Sequence, residues 1–196
     1  MSQRHDVGRK NKGGGAMHVA VDVAYGADES AAVAGIAFAD PSSGTAAGTI
    51  VRRIARARPY RPGHFYEREL PCILAVLEAF PGRPETILPE SILIDGYVTL
   101  GAERRDGLGM HLFRTLGEAV PVIGVAKSRF RGTPAEAQVL RGGSARPLYV
   151  TSAGMDEAAA RGFVLSMHGA HRIPTLLAAA DRACRMAERP CAPDSG

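Results

Sequence analysis

Lysine is scarce in this chain. Only Lys10, Lys12 and Lys127 occur, so arginine carries nearly all of the positive charge and Lys127 stands alone outside the N-terminal segment. Tryptophan is absent, and five tyrosines and six phenylalanines leave most of a core to aliphatic side chains. The three cysteines, Cys72, Cys184 and Cys191, show no C-x-x-C pairing, and an odd count argues against a disulfide framework; a reducing cytoplasm is expected. No apolar run approaches the ~20 residues that span a bilayer, and the N-terminus lacks the apolar stretch of a secretory signal, so no membrane partner is expected. His168 and His171 have no metal-ligand spacing with any cysteine, which argues against a zinc site. The Gly-rich stretch 101–109 lacks a G-x-x-x-x-G-K-[ST] pattern, which argues against a nucleotide-binding P-loop.

The rest of the composition is that of one ordinary globular domain. The 196 residues include 45% hydrophobic and 22% charged side chains, and a net charge of +4 permits an anionic partner. Residues 1–16 are basic and Gly-rich and read as a flexible arm, 17–190 as a single domain, and 191–196 as a flexible tail. Strands are expected at about 18–25, 31–39 and 46–57, joined by short connections. The segment Arg58-Pro59-Tyr60-Arg61-Pro62-Gly63 is too proline-rich for regular structure. A helix follows over about 64–80, with Leu70, Ile73, Leu74, Leu77 and Phe80 on one stripe, stopped by Pro81-Gly82-Arg83-Pro84. Further strands are expected at 91–97 and 121–128, a hairpin within 138–151 turning at Gly142-Gly143, and helices at about 110–118, 156–167 and 174–188. The pattern is that of an α/β protein with a mixed central sheet flanked by helices.

Two apolar runs each carry one carboxylate: His18-Val19-Ala20-Val21-Asp22-Val23-Ala24-Tyr25 and Ser91-Ile92-Leu93-Ile94-Asp95-Gly96-Tyr97. A carboxylate in a buried strand needs a partner. Strand alternation sets Val19, Val21 and Val23 on one face and Ala20, Asp22 and Ala24 on the other. Asp95 ends its strand, where open α/β sheets place ligand sites. With Glu69 near the start of a helix, the three acids suit a hard cation such as Mg²⁺ or Mn²⁺, and Lys127 could set a fixed positive charge beside a phosphate. The same residues also suit plainer roles: an Asp held by backbone amides or an arginine, and a solvated Glu.

Read in order, these segments resemble the endonuclease V family. Val21-Asp22-Val23-Ala24-Tyr25 matches its first-strand motif, and Pro59-Tyr60-Arg61-Pro62-Gly63 followed by Arg68-Glu69 matches a second. Ile94-Asp95-Gly96 matches a third, and Ile123-Gly124-Val125-Ala126-Lys127-Ser128 a fourth; Pro147 to Val150 and His171-Arg172-Ile173-Pro174 through Asp181 also look like family segments. The resemblance implies a ribonuclease H-like fold and Mg²⁺-dependent hydrolysis, with Mn²⁺ able to substitute. The cut falls at the second phosphodiester 3′ to a deaminated base, chiefly inosine, in DNA or RNA, a role in DNA repair. It assigns Asp22, Glu69 and Asp95 to the metal, Asp181 to a supporting position near it, and Lys127 to catalysis. Tyr60, with Pro59, Arg61 and Pro62, becomes a wedge against the displaced base, with Gly96 at the nucleic acid. A monomer is expected.

The chain also departs from the family. The usual A-H-P after the D-G is absent, with Gly101 or Ala102 in place of the His, and Tyr97 and Val98 replace the small pair that opens the lesion pocket. The later helix His is matched by His111. The family's N-terminal helix is missing or replaced by the basic arm. Alternatives are therefore a diverged ribonuclease H-like nuclease with another structure-specific substrate, or a non-catalytic nucleic-acid-binding protein. Arg52, Arg56 and Arg58 are expected on one strand face, if the strand runs that far, in a cluster with Arg53 and Arg61 that either tracks phosphates or guards a sheet edge. His64 reads as a surface residue.

Overall fold

The structure is a computed structural model describing residues 17–80 and 89–188. The chain opens with β1 (His18–Tyr25), β2 (Ala31–Phe38) and β3 (Gly48–Ile54), an antiparallel meander. Helix α1 (Phe65–Leu77) and strand β4 (Ser91–Ile94) follow. A two-stranded hairpin, β5 (Thr99–Leu100) and β6 (Arg105–Asp106), leads to α2 (Leu108–Thr115) and β7 (Val122–Ala126). After a 3₁₀ turn at Ala135–Ala137 come β8 (Gln138–Val139), β9 (Leu148–Ala153), α3 (Glu157–Ser166) and α4 (Thr175–Glu188).

The main sheet has seven strands in the order β3-β2-β1-β4-β7-β9-β8. β1, β4 and β7 run parallel to one another, and the other pairings are antiparallel. The expected mixed α/β sheet is present. Its arrangement matters because three parallel strands bring their C-terminal ends to one edge, the usual location of a site.

Alternation along β1 divides the core. Val19 and Val21 face a layer with Ile73 and Val76 of α1 and Leu112 of α2. Ala20 faces the opposite layer, where Leu93, Ile123 and Val150 meet Val164 of α3 and Leu176 and Ala180 of α4. Each fully buried Val, Leu or Ile contributes about 1.5–3 kcal/mol. The expected stripe on α1 packs into the first layer, Leu70, Leu74, Leu77 and Phe80 partly buried around buried Ile73. Asp156 caps α3, its carboxylate accepting from the amides of Ala158 and Ala159 at 2.9 and 3.1 Å. Alanines make the α4 contact close: Ala32 and Ala34 of β2 lie against Cys184.

Several boundaries differ from the sequence reading. β3 stops at Ile54 because its partner β2 begins at Ala31, opposite Ile54, so residues 55–57 have no strand to pair with. Arg56 and Arg58 are therefore off the strand, and the shared face expected with Arg52 does not form. The strand at 91–97 is only Ser91–Ile94, and the loop at 101–109 is shorter, because 99–106 close into the β5–β6 hairpin. The thiols of Cys72 and Cys184 are buried and form no disulfide among the described residues. The expected arm at 1–16, the helix stop at 81–84, the tail at 191–196 and Cys191 lie outside the described residues.

Candidate metal centre and nucleic-acid interface

The parallel pairing sets the acids side by side. Val21 is opposite Ile94, so Asp22 and Asp95 are the next residues along two neighbouring strands. Asp95 lies one residue past β4 and Lys127 one residue past β7. Gly96 follows at φ 151°, a conformation that L side chains rarely adopt, and its Cβ position is open apart from Leu108 at 3.9 Å. Backbone conformation rather than space requires glycine there.

The ammonium of Lys127 is the meeting point. Its Nζ lies 2.6 Å from Asp95 Oδ2, 3.7 Å from Asp181 Oδ1 and 3.9 Å from Asp22 Oδ2. Burial tends to lower the Lys127 pKa, but the hydrogen bond it donates to Asp95 and the charges of all three acids raise it overall. Asp181, from α4, also holds Arg185 at 3.0 Å. Among the described residues, no three His, Cys, Asp or Glu side chains converge on one point that a metal could occupy as they stand.

Asp22 and Glu69 are in a different electrostatic state. Burial, reinforced by Asp95 and only partly offset by Lys127, pushes the Asp22 carboxyl up to about 7. Burial, then the charges of Asp22 and Asp95, pushes Glu69 up to about 8, with Arg68 opposing. Glu69 is only 6% exposed, and its Oε2 is buried with no hydrogen-bond partner among the described residues. Two acids lifted this far, one with an orphaned oxygen, form a site that lacks positive charge. An oxygen-only donor set with that deficit fits a hard divalent cation. The cleft bounded by Asp22, Asp95 and Lys127 holds about 10 Å³, the volume of one water-sized particle.

The family model for endonuclease V matches residues 2–155. The chain belongs to the endonuclease V family. It is similar to Endonuclease V of Streptomyces coelicolor, at 34% identity over 88% of this chain and 79% of that protein. It is also similar to Endonuclease V of Streptomyces avermitilis, at 37% identity over 70% of this chain but only 55% of that protein. Human ENDOV has the same fold, with a TM-score of 0.71 at 22% identity, covering 89% of this chain and 84% of that one. Ciona intestinalis Endonuclease V, solved with a 23mer DNA containing an inosine followed by a ribo-adenosine, has a TM-score of 0.68 at 19% identity, covering 88% and 85%. The fold is ribonuclease H-like. Family membership makes the protein a nuclease, in a family that works with a metal and on nucleic acid. No described helix is long and apolar enough to cross a membrane.

The structure therefore gathers Asp22, Asp95, Lys127 and Asp181 directly and draws in Glu69 through its coupling to Asp22 and Asp95. Pro59, Tyr60, Arg61 and Pro62 are all exposed, with Tyr60 at 59%. The Tyr60 ring lies 6.4 Å from Phe65, itself exposed, so two rings face solvent together. Arg61 reaches Glu67 at 3.2 Å, and exposed His64 pairs with the same Glu67 at 3.2 Å. His111 stacks on Tyr66 with ring centroids 3.6 Å apart, and burial lowers its pKa.

Sequence reading gave no role to four residues around this centre. Arg68 lies over the Tyr25 ring at 3.8 Å and is the cation nearest in effect to Glu69. Cys184 lies under Asp22 and Asp181, and burial plus those charges pushes its thiol up to about 12, which makes it inert. Tyr97 and Arg172 bind the main chain around Lys127. Arg68 and Arg172 stood inside quoted motifs, the only signal available for them.

Proposed function

We propose that this protein hydrolyses a phosphodiester on the 3′ side of a deaminated base, inosine, in DNA or RNA, with Mg²⁺ as its metal and Mn²⁺ able to substitute. The single observation that carries this is the grouping of Asp22 of β1, Asp95 just past β4 and Asp181 of α4 around the Lys127 ammonium just past β7. The inosine-containing DNA bound by the Ciona relative supports the choice of substrate. We further propose a cytoplasmic monomer, with 17–190 as the catalytic domain.

Asp22, Glu69 and Asp95 would hold the cation, with Asp181 supporting. Bound there, the cation supplies Lewis acidity toward a phosphoryl oxygen and activation of the attacking water. The chain's own residues do the rest. Lys127 places a positive charge where the scissile phosphate gains negative charge, in a partly buried site where that charge is weakly screened. Asp95 and Asp181 hold the ammonium in place until substrate arrives. Tyr60, on its stiff proline-flanked loop, offers a ring face for a base to stack on.

A second reading has one observation in its favour. Tyr97 is buried against Ala126, Tyr149, Leu100 and Phe130, so a ring and not open space follows Asp95-Gly96. That favours a nuclease of the same centre that selects strand structure instead of a base. End-labelled DNA and RNA oligonucleotides, each with and without one inosine, separate the two at controlled salt. The first reading expects metal-dependent nicking confined to the inosine strands. Equal nicking of unmodified strands supports the second, and no nicking with either metal removes both.

A further inference from the structure

Lys127 does its work one residue beyond the last rung of its strand. The β7–β9 ladder ends at Ala126 opposite Tyr149, so the carbonyls of Lys127 and Ser128 have no partner in the sheet. A carbonyl beyond the ladder is paired with water or with another part of the chain. Two side chains from distant parts of the chain supply it. The Tyr97 hydroxyl donates to the Ser128 carbonyl at 2.9 Å and accepts from the Phe130 amide at 3.0 Å. Arg172 Nη2 donates to the Lys127 carbonyl and, at 3.1 Å, to the Pro147 carbonyl.

The Tyr97 ring packs against Tyr149 and Phe130, which leaves its hydroxyl as the group that reaches the Lys127 strand end. Tyr97 is buried, and it begins two residues after Asp95, so its hydroxyl ties the Asp95 strand end to the Lys127 strand end. Arg172 makes no ion pair with a carboxylate among the described residues, and its Nε is buried without a partner. A half-buried guanidinium left without a carboxylate and spent on main-chain carbonyls is costly unless those carbonyls must be held. The lysine side chain is a flexible four-carbon stem whose reach depends on where its Cα sits.

The geometry points to Tyr97 and Arg172 as positioning residues for Lys127, a two-sided clamp on its main chain that keeps the ammonium in register with Asp95. This rests on the catalytic reading of Lys127. The clamp acts through Lys127 and touches neither substrate nor metal.

Lysine scarcity makes the clamp directly testable. With ¹⁵N,¹³C-lysine labelling, Lys127 is the one labelled site outside the N-terminal segment. Side-chain relaxation of Lys127 is measured in the metal-free protein and in Tyr97→Phe, which keeps the ring and removes the hydroxyl. Arg172→Lys is measured alongside, because it keeps the charge and loses the fork. The clamp expects the Lys127 methylenes to become more mobile in both variants while the melting temperature of Tyr97→Phe stays within a few degrees. Unchanged Lys127 order in both variants overturns it. This readout holds whether or not the protein nicks inosine strands, so failure of the clamp and failure of the nuclease reading are distinguishable. Where nicking is seen, a kinetic cycle applies the second test. Tyr97→Phe is expected to lower kcat roughly tenfold with little change in KM. It should cost nothing further in a Lys127→Met background. An equal loss in both backgrounds assigns Tyr97 a structural role alone and overturns the clamp.

Discussion

The acidic centre has two unequal halves. Around Lys127, Asp95 and Asp181 share an internal cation at 2.6 and 3.7 Å, and Arg185 adds a second 3.0 Å from Asp181. On the other side, Asp22 and Glu69 are more deeply buried and lifted to about 7 and about 8, and Glu69 keeps an oxygen with no partner. One half is complete as the chain folds. The other is short of positive charge, since Lys127, 3.9 Å from Asp22, and Arg68 only partly offset the burial of its two acids. In the proposed reading the cation is drawn to the Asp22–Glu69 side, Asp95 is shared between it and Lys127, and the Lys127 side takes the phosphate.

The largest expected effects come from breaking each half. Asp22→Asn or Asp95→Asn should reduce metal-dependent nicking by roughly 10³-fold in a single-turnover gel assay, with oligonucleotide binding retained. Lys127→Met should cost about 10²-fold in nicking and also lower the metal-free melting temperature, because Asp95 and Asp181 lose their counter-charge. The other half should behave oppositely in stability. Above about pH 8, where Glu69 is ionised, Glu69→Gln removes a buried charge, so the metal-free protein should gain about 1–3 kcal/mol there, or about 2–4 °C per kcal/mol by calorimetry, while losing its stabilisation by Mg²⁺ or Mn²⁺.

Acidity gives a subtler contrast. Asp22 and Glu69 are raised above their ordinary values of 3.8 and 4.5. Their contribution to stability is then complete below about pH 4 and is lost as pH rises through 7 and 8. Thermal melts of the metal-free protein should show stability falling across that upper window, and saturating metal should remove the fall. The smallest expected effect lies at the edge of the site: Tyr60→Ala should leave the melting temperature unchanged, because the ring is exposed, and weaken oligonucleotide binding about tenfold.

Legibility in the sequence followed the length scale of each interaction. Asp22 and Asp95 stood out because a lone carboxylate in a β-branched run is anomalous within a few residues. Glu69 is less distinctive, since one Glu on a helix resembles any other; its place near the start of a helix suggests the site and the motif order strengthens it. Its burial comes from packing between α1 and the sheet, which composition does not reveal. Tyr97 and Arg172 were illegible as positioning groups because their partners lie 31 and 45 residues away. β3 was read too long for a related reason: its alternating Arg-Ala pattern continues, but strand length is set by the partner, and β2 has no residue left to offer beyond Ala31.

The Asp22–Glu69 half is the proposed seat of the cation. Calorimetric titration of Mn²⁺ into wild-type protein and Glu69→Gln at pH 7.5 tests this directly. Wild-type protein should bind with release of protons, and the variant should bind at least about tenfold more weakly and release fewer. Equal affinity and equal proton release in the two proteins would contradict it.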